Sequence, residues 1–228
     1  MQLCLALDLE SQKACLNLLE QLKGLNLWIK LGLRGFIREG PSFLERIKNI
    51  DSGFKLFLDL KLHDISYTMQ ETVIECAKLG VDMLTLHASS GQEALKNAVQ
   101  TLKSFGGKKP LLMGVTLLTS LDESQAQAIY HAPLLDQTLY LAKLCFDCGL
   151  DGVVCSVLES LAIKQATKAD FLTLTPGIRP PNTPLGDQKR VGTIADAKKA
   201  HADFIVMGRP IYGASNPLEI TRHILEQI

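Results

Sequence analysis

The chain has 228 residues, of which 46% are hydrophobic and 21% charged, an ordinary composition for a globular protein with one large core. Lys and Arg together number 24, as do Asp and Glu, so the formal charge is zero and neither nucleic acid nor an anionic membrane is an expected partner. No stretch approaches the roughly 20 apolar residues of a membrane span, and the first apolar run is broken by Asp8 with no basic segment before it, so the expected location is cytoplasmic.

Residues 3–9 read as a strand, followed by a helix over 11–23 in which Cys15, Leu18, Leu19 and Leu22 recur at helical spacing. A second strand falls at 27–33 and a second helix at 41–50. The third strand is the run 54–65, Phe-Lys-Leu-Phe-Leu-Asp-Leu-Lys-Leu-His-Asp-Ile, with a helix over 68–79 that stops at Gly80. Strand four at 83–88 precedes a helix at 92–104. Strand five at 111–118 leads into a longer helical region ending near Gly149. Strand six at 152–156 is followed by a helix to about Thr167. Strand seven at 171–175, a long loop and a helix at 193–201 come next, then strand eight at 204–208 and a closing helix from Pro217. Strands alternating with helices imply parallel pairing through crossovers, and eight such units in this length predict an α/β fold, a (β/α)8 TIM barrel forming a single domain over residues 1–228. An open doubly wound sheet is the alternative, but no G-x-G-x-x-G follows the first strand. The six cysteines, Cys4, Cys15, Cys76, Cys145, Cys148 and Cys155, sit in periodic apolar segments and read as reduced thiols. Cys145 and Cys148 form a C-x-x-C inside a helical run with no second ligand pair, so zinc is not expected there.

A strand covered on both faces is normally close to uniformly apolar, yet the third ends in three charged residues. Alternation puts Asp59 and Lys61 on one face with Cα atoms roughly 6.7 Å apart, and Leu56, Leu58, Leu60 and Leu62 on the other. Asp64 has the opposite parity and points elsewhere. Taken alone, such a pair reads as a satisfied structural ion pair. In a barrel, however, the site forms at the C-terminal ends of the strands, and polar residues recur there: Asp8, Lys30, Asp59 with Lys61, His87, Thr119 and Arg209. Asp8, Lys30, Asp59 and Lys61 form a set of alternating sign. Gly208-Arg209-Pro210 after strand eight puts close backbone approach beside a guanidinium, at the usual phosphate cradle of this fold; a plain turn is the competing reading. The loop 177–191, rich in Pro, is long for its type and reads as a lid from which Arg179, Gln188 and Arg190 reach a ligand, or as a merely floppy connection.

Asp59-Leu-Lys61-Leu-His-Asp64-Ile65 resembles the D-x-K-x-x-D-I signature of the orotidine 5′-monophosphate decarboxylase family. Further motifs agree in order: Leu5-Ala-Leu-Asp8, Ile29-Lys30, His87-Ala88, Leu118-Thr119-Ser120, Thr175-Pro-Gly-Ile-Arg179, Asp187-Gln188 and Gly208-Arg209-Pro210-Ile211. The resemblance implies conversion of orotidine 5′-phosphate to UMP and CO2 in pyrimidine synthesis. It also implies a homodimer with composite sites, no metal and no organic cofactor. By the same resemblance Lys61 protonates C6 of the pyrimidine, Asp59 lies against the departing carboxylate, and Asp64 enters from the other subunit. Asp8, Lys30 and the partner-donated Thr68 contact the ribose region, with Lys30 also part of the catalytic charge network. Thr119 reads the pyrimidine edge, and Gln188, Gly208 and Arg209, with Arg179 nearby, hold the phosphate. Departures from the family pattern fall at Ser90, Thr193-Ile194 and Tyr212, none of which is assigned chemistry. The D-x-K-x-x-D element alone is shared with sugar-phosphate decarboxylases and aldolases of the same superfamily, which usually need Mg²⁺. A 3-keto-gulonate-6-phosphate decarboxylase or hexulose-phosphate synthase is therefore the nearest alternative, and a non-catalytic phosphate-binding barrel the more distant one.

Overall fold

In the computed structural model, which describes residues 1–179 and 190–228, eight short strands pair in parallel and in chain order. They are β1 (Gln2–Ala6), β2 (Trp28–Gly32), β3 (Lys55–Leu62), β4 (Met83–His87), β5 (Leu111–Val115), β6 (Gly152–Val154), β7 (Leu172–Thr175) and β8 (Phe204–Met207). β8 pairs with β1, so the sheet closes into the (β/α)8 barrel that the alternation of strands and helices predicts. The helices outside it are α1 (Gln12–Gln21), α2 (Leu33–Glu39), α3 (Ser42–Ile50), α4 (Ser66–Lys78), α5 (Gln92–Ser104), α6 (Glu123–Tyr130), α7 (Leu134–Asp147), α8 (Val157–Ala166), α9 (Ile194–Lys199), α10 (Arg209–Tyr212) and α11 (Pro217–Gln227). The long helical region before β6 is two helices. α6 ends at His131 in the left-handed conformation (φ 55), and Pro133 then starts α7.

Period-two alternation sorts each strand into two apolar layers. Leu3, Leu5, Ile29, Leu31, Leu56, Leu58, Leu84, Leu112, Val153 and Ile205 face outward and pack under the helices. Cys4, Ala6, Trp28, Phe57, Met83, Met113, Val115, Val154, Leu174, Phe204 and Val206 fill the barrel interior, where Trp28 and Phe204 meet edge to face at 5.2 Å. The interior series continues upward on the same parity into polar residues: Ala6 to Asp8, Trp28 to Lys30, Phe57 to Asp59 and Val206 to Gly208. The barrel is therefore a packed apolar plug below and a polar mouth above.

The lower rim carries a repeated device. Ahead of β4, β6 and β8 the chain turns through a left-handed residue, Gly80 (φ 73), Gly149 (φ 83) and His201 (φ 53), and reaches an aspartate two positions later. Each aspartate grips the second residue of the preceding strand twice. Asp82 donates its N–H to the Leu56 carbonyl (2.8 Å) and accepts from the Leu56 N–H through Oδ2 (2.8 Å). Asp151 does the same to Leu112 (3.1 and 2.8 Å), and Asp203 to Thr173 (3.0 and 2.7 Å). Backbone groups at the strand starts, which the ladder leaves without partners, are thus satisfied by the neighbouring turn.

Close strand packing is tightest at Gly152, where a Cβ would lie 2.3 Å from the Leu172 carbonyl oxygen. Gly152→Ala is expected to push β6 from β7 and to lower stability by about 1–3 kcal/mol; urea unfolding followed by circular dichroism, with an unchanged midpoint, would contradict this.

Candidate active site

The register of β3 against β4 breaks at the mouth. Phe57 pairs with Met83 and Leu58 with Leu84, and pairing resumes only at Leu62 with Leu86, so the extra residues on β3 bulge. Within the bulge Lys61 takes φ 52, a conformation that costs a non-glycine residue about 1–3 kcal/mol and persists only where surroundings hold it. Its N–H donates to Thr85 Oγ1 at 2.9 Å, and its ammonium folds back onto Asp59 Oδ1 at 2.8 Å. The Thr85 hydroxyl donates to the same Asp59 oxygen at 3.0 Å.

Lys30 extends this cluster from β2, with Nζ 3.4 Å from Asp59 Oδ2 and 3.7 Å from Asp8 Oδ1. The four side chains form a row of alternating sign, Asp8–Lys30–Asp59–Lys61. Lys30 and Asp59 are the buried members, at 12% and 11% side-chain exposure, and Lys61 and Asp8 reach solvent at 37% and 51%. Burial raises the Asp59 pKa, but the two ammonium groups, then the hydrogen bonds from Lys61 and Thr85, outweigh it and hold the carboxyl below the usual range. Burial likewise pushes Lys30 down, and Asp59 and Asp8 more than reverse it. Both groups are charged at neutral pH. Gly32 makes this possible in a way its sequence context did not announce: a Cβ there would stand 3.1 Å from Lys30 Nζ and 3.4 Å from Asp8 Oδ1.

The row lines one wall of a cleft of about 270 Å³. Thr119 and Ser120, from the loop after β5, also line it, as do Pro176, Gly177, Arg179, Gly208, Arg209 and Tyr212 from beyond β7 and β8. Gly208 keeps this wall open, since a Cβ would crowd Tyr212 Cε1 at 3.1 Å and Ala6 Cβ at 3.2 Å. Arg179 is buried and donates from Nη1 to the Ile178 carbonyl at 3.0 Å. Arg209 is exposed at the start of α10. Asp8, Lys30, Asp59, Lys61, Thr119, Arg179, Gly208 and Arg209 therefore share one cavity. Gln188, with most of the expected lid, lies outside the described residues.

Asp64 and Thr68 do not join this cavity. They line a separate hollow beside Leu62, His63 and Met69 that touches the cleft residues only at Lys61. Asp64 is exposed beyond the end of β3 and accepts from the Ile65 N–H at 2.7 Å. Arg190 also departs from expectation. It is buried and paired with Glu159, and it donates from Nη2 to the Leu118 (2.9 Å) and Leu117 (3.3 Å) carbonyls. Glu159 in turn accepts from the Ser156 N–H at 2.9 Å, so Arg190 ties α8 to the loop that carries Thr119. His87 stacks on His63 at 5.1 Å and bonds Ser89 Oγ through Nδ1 at 2.7 Å, outside the cleft lining. Burial, then His63 and Lys61, hold it below the ordinary histidine pKa.

Residues 1–224 match the model of the Orotidine 5'-phosphate decarboxylase / HUMPS family. Among curated relatives, the orotidine 5'-phosphate decarboxylase of Helicobacter pylori is 53% identical over 226 residues, 99% of each chain. That of Wolinella succinogenes is 54% identical over 228 residues, the full length of both. Among solved structures, the orotidine 5'-phosphate decarboxylase of Lactobacillus acidophilus superposes with a TM-score of 0.85 at 33% identity, covering 99% of this chain and 98% of that one. With a match to the family model over residues 1–224 and relatives 53% and 54% identical along nearly the whole of both chains, the chain belongs to the orotidine 5'-phosphate decarboxylase / HUMPS family.

Proposed function

We propose that this single-domain barrel decarboxylates orotidine 5′-phosphate to UMP and CO2, a step of pyrimidine biosynthesis, without a metal or organic cofactor. The observation that carries the reading is the Lys61 ammonium held 2.8 Å from the buried Asp59 carboxylate in a cleft that Gly208 and Arg209 also line. The names of the relatives support the same reaction.

In this reading the bond between C6 and the substrate carboxylate breaks, and its electron pair stays on C6, where the ring does not delocalise it. Lys61 stabilises that charge and donates a proton to C6, recovering one from water after CO2 leaves. An ammonium at about 4 Å contributes roughly 4 kcal/mol at an effective dielectric near 20. Enzymes typically supply about 8–23 kcal/mol, so Lys61 does not act alone. Remote contacts make up the difference by holding the base against the charge row. Arg209, Gly208, Gln188 and Arg179 take the phosphate, Asp8 and Lys30 the ribose, and Thr119 the pyrimidine edge. Asp59 keeps Lys61 aimed and lies against the departing carboxylate.

The site is completed in a homodimer, in this reading, by Asp64 and Thr68 of a second copy. Two features support it. Asp64 and Thr68 face away from their own cleft, and the flanking Ile65 and Tyr67 are each 71% exposed, with Leu33 and Ile37 of α2 also exposed at 56% and 75%. Among the described residues no helix is long and apolar enough to cross a membrane, and the proposed location is the cytoplasm.

Purified protein is expected to release CO2 from orotidine 5′-phosphate at an undiminished rate in EDTA, and Lys61→Ala to lose at least ~10³-fold in kcat while keeping its circular dichroism. No CO2 from the wild type, or full activity in the variant, would sink the reading. Mixed Asp59→Ala and Asp64→Ala subunits should recover activity in verified heterodimers; none recovered would argue against sharing. Arg209→Ala is expected to weaken UMP binding by ~10- to 100-fold by calorimetry while leaving uridine little changed; equal losses would remove Arg209 from the phosphate.

A further inference from the structure

We propose that Thr85 is a positioning residue of this site, its one hydroxyl setting both the backbone turn at Lys61 and the orientation of the Asp59 carboxylate. The inference rests on the decarboxylase reading and adds to it a residue that does not touch the cleft.

Thr85 stands on β4, fully buried, opposite the bulge of β3. The broken register deprives the Lys61 N–H of a ladder acceptor, and Thr85 Oγ1 takes that place at 2.9 Å. The same oxygen is 3.0 Å from Asp59 Oδ1. The directions of these bonds are forced. A backbone N–H only donates and a carboxylate only accepts, so the hydroxyl accepts from Lys61 and spends its single hydrogen on Asp59. Since the Lys61 ammonium also donates to Asp59 Oδ1, a closed circuit results: Lys61 backbone, Thr85 hydroxyl, Asp59 carboxylate, Lys61 side chain. The left-handed conformation of Lys61 and the aim of its ammonium are thereby one constraint. A valine fills the same shape but takes the partner from a half-buried N–H and leaves the carboxylate one donor short.

A purely structural threonine and a positioning one differ in what they move. Hydrogen bonding to a charged carboxylate favours the charged form, so losing the Thr85 donor raises the pKa of Asp59 towards the ordinary value. If Asp59 must be ionised, the acid limb of kcat then shifts to higher pH.

The test compares wild type, Thr85→Val and Thr85→Ser with orotidine 5′-phosphate across pH. Thr85→Val is expected to lower kcat by ~10- to 100-fold, as for other small misplacements of reacting groups, with KM little changed and the acid limb displaced upward. Thr85→Ser is expected to restore both rate and profile. A valine variant with wild-type kcat and acid limb overturns the role, as does a serine variant as impaired as valine, which would credit the methyl group instead. Should Thr85→Val fail to fold, Thr85→Ala against Thr85→Ser carries the same comparison. Wild-type protein that releases no CO2 overturns the reaction and Thr85 with it, whereas an active wild type beside an unaltered valine variant overturns Thr85 alone.

Discussion

The carboxylate of Asp59 sits almost out of water, and it remains a charge because Lys30 faces one of its oxygens and Lys61 the other. An isolated buried carboxylate would take up a proton; two ammonium groups and a hydroxyl donor make ionisation the cheaper state. Much of the mouth follows from that one requirement. Gly32 leaves room for the Lys30 head, the bulge in β3 brings Lys61 round to the same carboxylate, and Asp8 at the edge returns the row towards neutrality. A site of fixed, mutually satisfied charges does not have to reorganise when charge develops on a ligand, which is what electrostatic preorganisation demands.

The rest of the cleft lining is built differently. Gly208 gives way to backbone contact, Arg209 supplies an exposed cation and the loop after β5 supplies Thr119. That loop is pinned from outside the cleft by Arg190, whose guanidinium bridges Glu159 on α8 to the carbonyls of Leu117 and Leu118. A buried pair of this kind adds little net stability. Its effect is to hold a loop in place where the row of charges has no reach.

Periodicity made the barrel legible, because eight apolar runs alternate with helical segments and no dinucleotide fingerprint intervenes. The same alternation anticipates a meeting of Asp59 and Lys61, but it is the bulge, not the alternation, that brings Lys61 round to the carboxylate. The bulge was not legible: Asp-Leu-Lys-Leu reads as unbroken alternation, and nothing about lysine signals a left-handed backbone. The role of Thr85 has no local sequence signal for the same reason, since it depends on what the neighbouring strand does. α2 has little sequence signal, because Gly32 offers no side-chain cap and Gly35 weakens the helical pattern, although that glycine admits the Leu31 side chain, which would stand 2.7 Å from a Cβ. Arg190 looked like a loop cation free to meet a ligand; its partner Glu159 lies far away in the chain, beyond any local pattern.

The paired grips of Asp82, Asp151 and Asp203 all lie at the rim remote from the cleft. They recur ahead of β4, β6 and β8, so six of the eight strands are fastened in three two-strand staves by contacts that share no atom with the charge row. Thermal adaptation and tuning of turnover therefore have separate addresses in this molecule. A lineage moving to a hotter habitat has the staves to reinforce and no need to disturb the four side chains at the mouth.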